Sequence, residues 1–317
     1  MPHLPRERGK APVAYGAVSI PTQGEPRPDP FDVEGWRRHF IARSPLDEVR
    51  TREIADGFYI RHSEHFISMN LCTNEGSSAM GYPVTWFDLG ASDVQPLIRF
   101  YEELFGWKLE SAAPTYTRID TRSGSGMSGG IGRSGTGDSW IAFYVEVDEI
   151  QSVLDRAESM GATIVMPVTD LPAVTFAMFN DPDGLLIGVM RPMESYQGPS
   201  AGDGEAVDWF EIIGSNSAAT CAFYRDLFGW KIDEDPNYSM VDTGVGRGAA
   251  GGIGASDEGA RWATVYARVG DVESYLARAD ELGGKRVYGP TAVGDTTVTG
   301  AFRDPAGNVF GLYQITG

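Results

Sequence analysis

The chain carries the same long stretch twice. Trp86-Phe87-Asp88-Leu89 is followed by Phe100-Tyr101-Glu102-Glu103-Leu104-Phe105-Gly106-Trp107-Lys108. Later, Trp209-Phe210-Glu211-Ile212 is followed by Phe223-Tyr224-Arg225-Asp226-Leu227-Phe228-Gly229-Trp230-Lys231. Both landmarks, residue 86 to 209 and residue 107 to 230, recur after 123 residues. A spacing held over such a distance means one domain written twice, so any fold proposed for one copy must serve the other. Two units of ordinary domain size fit within the 317 residues.

Each copy divides again. In the first, an apolar strand at 82–89 leads to a helix at 94–105 that Gly106 closes, followed by strands at 116–121 and 127–133. A second unit opens with a strand at 140–147 and a helix at 150–160 that stops at Gly161. Strands at 163–166, 174–180 and 185–190 follow, the last two joined by the turn Asp181-Pro182-Asp183-Gly184. The second copy repeats the scheme. Gly251-Gly252-Ile253-Gly254 mirrors Gly129-Gly130-Ile131-Gly132, and Asp304-Pro305-Ala306-Gly307 mirrors the turn. The expected organisation is an N-terminal extension at 1–79, a first domain at 80–191, a linker at 192–204 and a second domain at 205–317.

Charge and composition exclude several classes of function. Residues 1–79 hold 10 basic and 11 acidic residues, whereas the rest hold 16 basic and 33 acidic. So negative a surface repels phosphate backbones, and nucleic acid is not an expected partner. No apolar run reaches about 18 residues, so no membrane span is expected. Two cysteines, Cys72 and Cys221, make no disulfide framework and fit a reducing cytoplasm. All four histidines, His3, His39, His62 and His65, lie in the extension, which reads as a solvated tail. The body therefore has no histidine with which to build a Ser/His/Asp triad. The Gly-rich runs 124–132 and 244–254 precede no Lys-Ser/Thr and open no helix, so they read as bent strands and not phosphate loops.

The β-α-β-β-β unit used twice per domain, with Phe-Tyr and Phe-Gly-Trp after the first strand and Asp-Pro-x-Gly before the last, resembles the vicinal oxygen chelate superfamily. That superfamily includes glyoxalase I, extradiol dioxygenases, fosfomycin-modifying enzymes and bleomycin-binding proteins. The resemblance covers residues 82–316. It is nearest the tandem two-domain actinobacterial type labelled hydroxylase or antigen, and is similar to an accessory protein of anthracycline pathways. It implies an α+β fold, with each domain a half-open eight-stranded barrel. It also implies where metal-using members keep their ligands. Those positions are Trp86 and Trp209, Ala142 and Thr264, and Gly188 and Gly311 in this chain, none of which suits a divalent ion. No metal and no other cofactor is expected.

Strand alternation from these positions gives the inward face of each cup. The first carries Trp86, Asp88, Trp140, Ala142, Tyr144, Leu186, Gly188 and Met190. The second carries Trp209, Glu211, Trp262, Thr264, Tyr266, Val309, Gly311 and Tyr313. Aromatic walls, a glycine floor and one carboxylate suit a flat aromatic ligand, though the same aromatics could simply fill a barrel interior. Asp88 and Glu211 are the candidate bases, with a structural hydrogen-bonding role as the alternative. The expected function is metal-independent binding of a planar aromatic small molecule, in self-resistance or as a biosynthetic accessory. The alternative is a metal-independent enzyme acting on an aromatic polyketide-like substrate. A monomer or homodimer is expected.

Overall fold

A computed structural model describes residues 81–134, 137–192, 197–256 and 260–316. The expected extension at 1–79, with its four histidines and Cys72, lies outside the described residues. The first domain runs β1 (Val84–Ala91), α1 (Gln95–Phe105), β2 (Lys108–Ala113), β3 (Tyr116–Asp120), β4 (Ser128–Arg133), β5 (Trp140–Glu146), α2 (Ile150–Ser159), β6 (Thr163–Leu171), β7 (Val174–Asn180) and β8 (Leu186–Pro192). The second runs β9 (Val207–Gly214), α3 (Ser217–Phe228), β10 (Lys231–Asp233), β11 (Tyr238–Asp242), β12 (Ala250–Ala255), β13 (Trp262–Arg268), α4 (Val272–Glu281), β14 (Lys285–Val293), β15 (Thr297–Arg303) and β16 (Val309–Ile315).

Each domain is one eight-stranded sheet, ordered β2-β3-β4-β1-β5-β8-β7-β6 in the first and β10-β11-β12-β9-β13-β16-β15-β14 in the second. The opening strands of the two units, β1 and β5 or β9 and β13, lie antiparallel at the centre. β2, β10 and the long β6 go beyond the sequence expectation. Edge strand β2 reads Lys-Leu-Glu-Ser-Ala-Ala and buries none of its residues fully, so it lacks the alternation that announces a strand. The Gly-rich runs are bent as expected: Gly124, Gly126, Gly244, Gly246 and Gly248 turn the chain with positive φ, and only the later parts form strands β4 and β12, where the glycines supply clearance. A Cβ on Gly129 would stand 2.7 Å from the Phe87 ring on one face, and one on Gly130 would overlap the Tyr116 hydroxyl on the other.

Alternation along β1 sends Phe87 and Leu89 to one side and Trp86 and Asp88 to the other. The first side belongs to a single apolar core running through both domains. Phe143 and Phe210 meet there at 4.8 Å, and Phe87 meets Phe310 at 6.0 Å. The two sheets thus stand back to back, and the cups open on opposite sides.

The repeated motifs build this junction. Tyr101 and Phe105, four apart, share a face of α1. Gly106, left-handed at φ 66°, turns the chain so that Trp107 stacks on both, 5.8 Å from Tyr101 and 4.3 Å from Phe105. The Trp107 indole then donates to the Glu205 carbonyl at 3.0 Å, and in the other direction Trp230 donates to the Tyr82 carbonyl at 2.7 Å. The tyrosines cross as well. Tyr101 donates to Asp304 at 3.1 Å, and Tyr224 donates to Asp181 at 2.8 Å. Both aspartates open an Asp-Pro-x-Gly turn, so each domain's helix motif is latched to the other domain's turn motif. Main-chain bridges Met127 to Val207 and Ala249 to Val84 repeat the same reciprocity.

Burial pushes the Asp181 carboxyl up to about 6, and raises Asp304 in the same direction. Because the folded value lies above the ordinary value near 4, the stability Asp181 contributes is full below about pH 4. It is lost as pH rises through about 6. Urea unfolding between pH 5 and pH 7.5 is expected to show this decline, and Asp181→Asn to flatten it. Tyr224→Phe, which removes a buried donor from Asp181, is expected to cost about 1–3 kcal/mol at pH 7.5 and less at pH 5, because the bond favours the ionised carboxylate.

Candidate functional site

In the first cup, Asp88 is 8% exposed and sits among polar donors. Its Oδ1 accepts from the Trp86 indole at 2.9 Å and from the Tyr116 hydroxyl at 2.7 Å, and Tyr144 is a third interacting hydroxyl. Around this centre pack Ala142, Tyr144, Met178, Leu186 and Met190, with Trp86 and Trp140 partly exposed. Desolvation raises the Asp88 carboxyl above the usual range, against the pull of its three donors.

The second cup repeats the plan with one change of reach. Glu211 accepts from Tyr238 at 3.1 Å and from Tyr266 at 2.9 Å. Its indole donor is Trp262, at 2.7 Å, on the neighbouring strand. The indole that corresponds to Trp86 is Trp209, which interacts with the Tyr238 hydroxyl. Burial raises Glu211 as it does Asp88. The strand reading thus placed both carboxylates and the aromatic walls on the inward faces where they are found. Thr264 faces inward but commits its hydroxyl to the Val309 carbonyl at 2.7 Å, and Tyr313 commits its own to Asp208 at 2.7 Å.

Two expectations need correction. Gly188 and Gly311 do not leave empty floor. A Cβ on Gly188 would overlap the Tyr144 ring, and one on Gly311 the Tyr266 ring, so the glycines are beds for tyrosines. The sequence reading also missed Tyr116 and Tyr238. Both start the strand next to the Gly-rich one and cross its second glycine, Gly130 or Gly252, to reach the carboxylate. A tyrosine recurring 122 residues apart ahead of a recurring Gly-Gly was the available signal.

The model of the Glyoxalase/Bleomycin resistance protein/Dioxygenase superfamily matches residues 84–189 and 206–312. The chain belongs to this superfamily. A protein of Mycobacterium tuberculosis provisionally named glyoxylase CFP32 is 22% identical over 252 residues, which cover 72% of this chain and 93% of that protein. Among solved structures, the Mn(II)-bound glyoxalase from Novosphingobium aromaticivorans is similar at TM-score 0.57 and 14% identity, covering 75% of this chain and 83% of that one. Homoprotocatechuate 2,3-dioxygenase from Arthrobacter globiformis is similar at TM-score 0.58 and 12% identity, covering 77% and 83%. At such identities the structures share a fold.

Members of this superfamily that use a metal need three or more oxygen or nitrogen ligands on the inward face. The residues here do not fit one. Trp86, Ala142 and Gly188 bring no such set, and a tyrosine ring fills the space before Gly188. Among the described residues, no group of three or more His, Cys, Asp or Glu side chains is placed to hold an ion. Also among the described residues, no helix is long and apolar enough to cross a membrane.

The full-length chain, dialysed and analysed by elemental mass spectrometry, is expected to hold well under one equivalent of Mn, Fe, Ni or Zn. A variant with His62→Ala and His65→Ala keeps the tail out of that measurement. Gly188→Ala and Gly311→Ala, which crowd a tyrosine off its bed, are each expected to destabilise the fold by about 1–3 kcal/mol in chemical denaturation.

Proposed function

We propose that this protein is a metal-independent receptor for a planar aromatic small molecule, of the kind that serves in self-resistance or as an accessory to the biosynthesis of an aromatic natural product. The observation that carries the reading is the replacement of a ligand set by an aromatic wall around one buried, hydrogen-bonded carboxylate, in both cups. Tryptophan and tyrosine faces offer stacking worth about 0.5–1.5 kcal/mol per ring beyond buried area. Methionine sulfurs add to it in the first cup. Area and stacking together suit an affinity in the micromolar range without a metal. The dioxygenase of similar fold is named for an aromatic substrate, which agrees with an aromatic ligand on this face but does not identify it.

A second reading is supported by the raised carboxyls. Asp88 and Glu211 each touch tyrosine hydroxyls, and a carboxylate made more basic by burial can take a proton from a substrate and return it. The chain would then be an isomerase- or cyclase-type enzyme on an aromatic polyketide-like substrate, with the carboxylate as base.

Titration with 1,8-dihydroxyanthraquinone is expected to quench tryptophan fluorescence with a dissociation constant of about 1–100 μM. Asp88→Asn and Glu211→Gln separate the two readings. A receptor keeps binding with modest change, while an enzyme keeps binding but loses turnover of any substrate found. Failure of flat aromatic compounds to bind at all would leave the cups as packed interiors and remove both readings.

A further inference from the structure

The two cups are built to one plan but closed by different means. Trp140 and Trp262 open the equivalent strands β5 and β13. Trp262 is fixed: its indole donates to Glu211, and it packs with Ile213, Ala260 and Tyr238. Trp140 has no such anchor. Asp88 is one methylene shorter than Glu211, and its Oδ1 is already taken by Trp86 and Tyr116. The Trp140 indole lies instead across Gly90, where a Cβ would overlap the ring, and the second cup has Ile213 at this place in the strand pairing. Its Nε1 is buried and finds no hydrogen-bond acceptor among the described residues.

The far wall differs in the same sense. Met166 pairs with Met178, which pairs with Gly188, and Met190 pairs with Phe176. The corresponding residues of the second cup are Tyr288, Ala301, Gly311 and Tyr313. Unbranched methionines re-pack readily. The tyrosines are held, Tyr313 by Asp208 at 2.7 Å and Tyr288 by the Tyr266 hydroxyl at 3.4 Å.

We propose that the first cup is the one that takes the ligand, and that Trp140 selects it by donating its indole N–H to an acceptor oxygen on the edge of the flat molecule, such as a quinone or aryl ketone carbonyl. The proposal rests on the receptor reading above. Swinging Trp140 off Gly90 breaks no hydrogen bond to any described residue and gives a buried donor a partner. Swinging Trp262 would strip a donor from the buried Glu211. Opening is therefore easier in the first cup, and binding there is rewarded by an acceptor.

The test uses the full-length chain and 1,8-dihydroxyanthraquinone, with anthracene as the ring system lacking the carbonyls. Trp140→Phe keeps an aromatic ring but removes the donor. It is expected to weaken binding of the anthraquinone by about three- to tenfold and to leave anthracene unchanged. Trp262→Phe is expected to lower the melting temperature while changing affinity for either compound less than twofold. Indole ¹⁵N–¹H spectra of the wild-type protein give a second readout that requires no stable variant in the titration. The resonance missing from Trp140→Phe should move downfield with the anthraquinone, and that of Trp262 should stay. Equal weakening by both variants, an effect of Trp262→Phe alone, or an unmoved Trp140 resonance in a protein that does bind would overturn the assignment. No binding by the wild-type chain would instead remove the receptor reading beneath it.

Discussion

The structure depends on the back-to-back contact between the two sheets. Neither sheet could stand with Phe87, Phe143, Phe210 and Phe310 facing water, and each supplies the other's missing half of a core. The polar latches sit at the ends of this contact. Tyr101 on Asp304 and Tyr224 on Asp181 place a hydroxyl on a carboxylate that would otherwise be buried with only its own turn for company. Trp107 and Trp230 hand their indole protons to the strand entering the opposite domain. The conspicuous motifs of the sequence are thus spent on joining domains, and the cups face outward because this junction occupies the other side.

The cups hold the balance in a different way. A carboxylate under an aromatic wall is unfavourable by burial and favourable by its donors, and burial is the larger of the two. Three donors from three different strands meet at Asp88, and three from two strands at Glu211. A change to any one of these groups is felt by strands that are far apart in the chain.

Much of this was legible in the sequence, and what was not has identifiable causes. The repeat and the period-two alternation located the inward faces correctly, because a strand's facing is decided by its own residues. Tyr116 and Tyr238 escaped because their placement depends on what the next strand lacks. Only the absence of a side chain at Gly130 and Gly252 lets them cross. Gly188 and Gly311 misled for the same reason, since an absent side chain says there is room but not what enters it. The latches escaped because Asp181 and Asp304 are sufficient explanations of their own turns, and nothing local to a Tyr in a helix names a partner some 200 residues away, as Tyr101 has in Asp304.

The difference between Asp88 and Glu211 is a single methylene, and it matters because both carboxylates sit in one polypeptide. In an assembly of two identical subunits, a substitution that loosened one bowl would loosen its twin, and the particle would lose rigidity on both flanks at once. Here the longer acid reaches Trp262 and keeps it as a keystone, while the shorter one holds Trp86 and does not anchor Trp140. The fused chain can hold one flank stiff and leave the other pliable, a division of labour that symmetry would forbid.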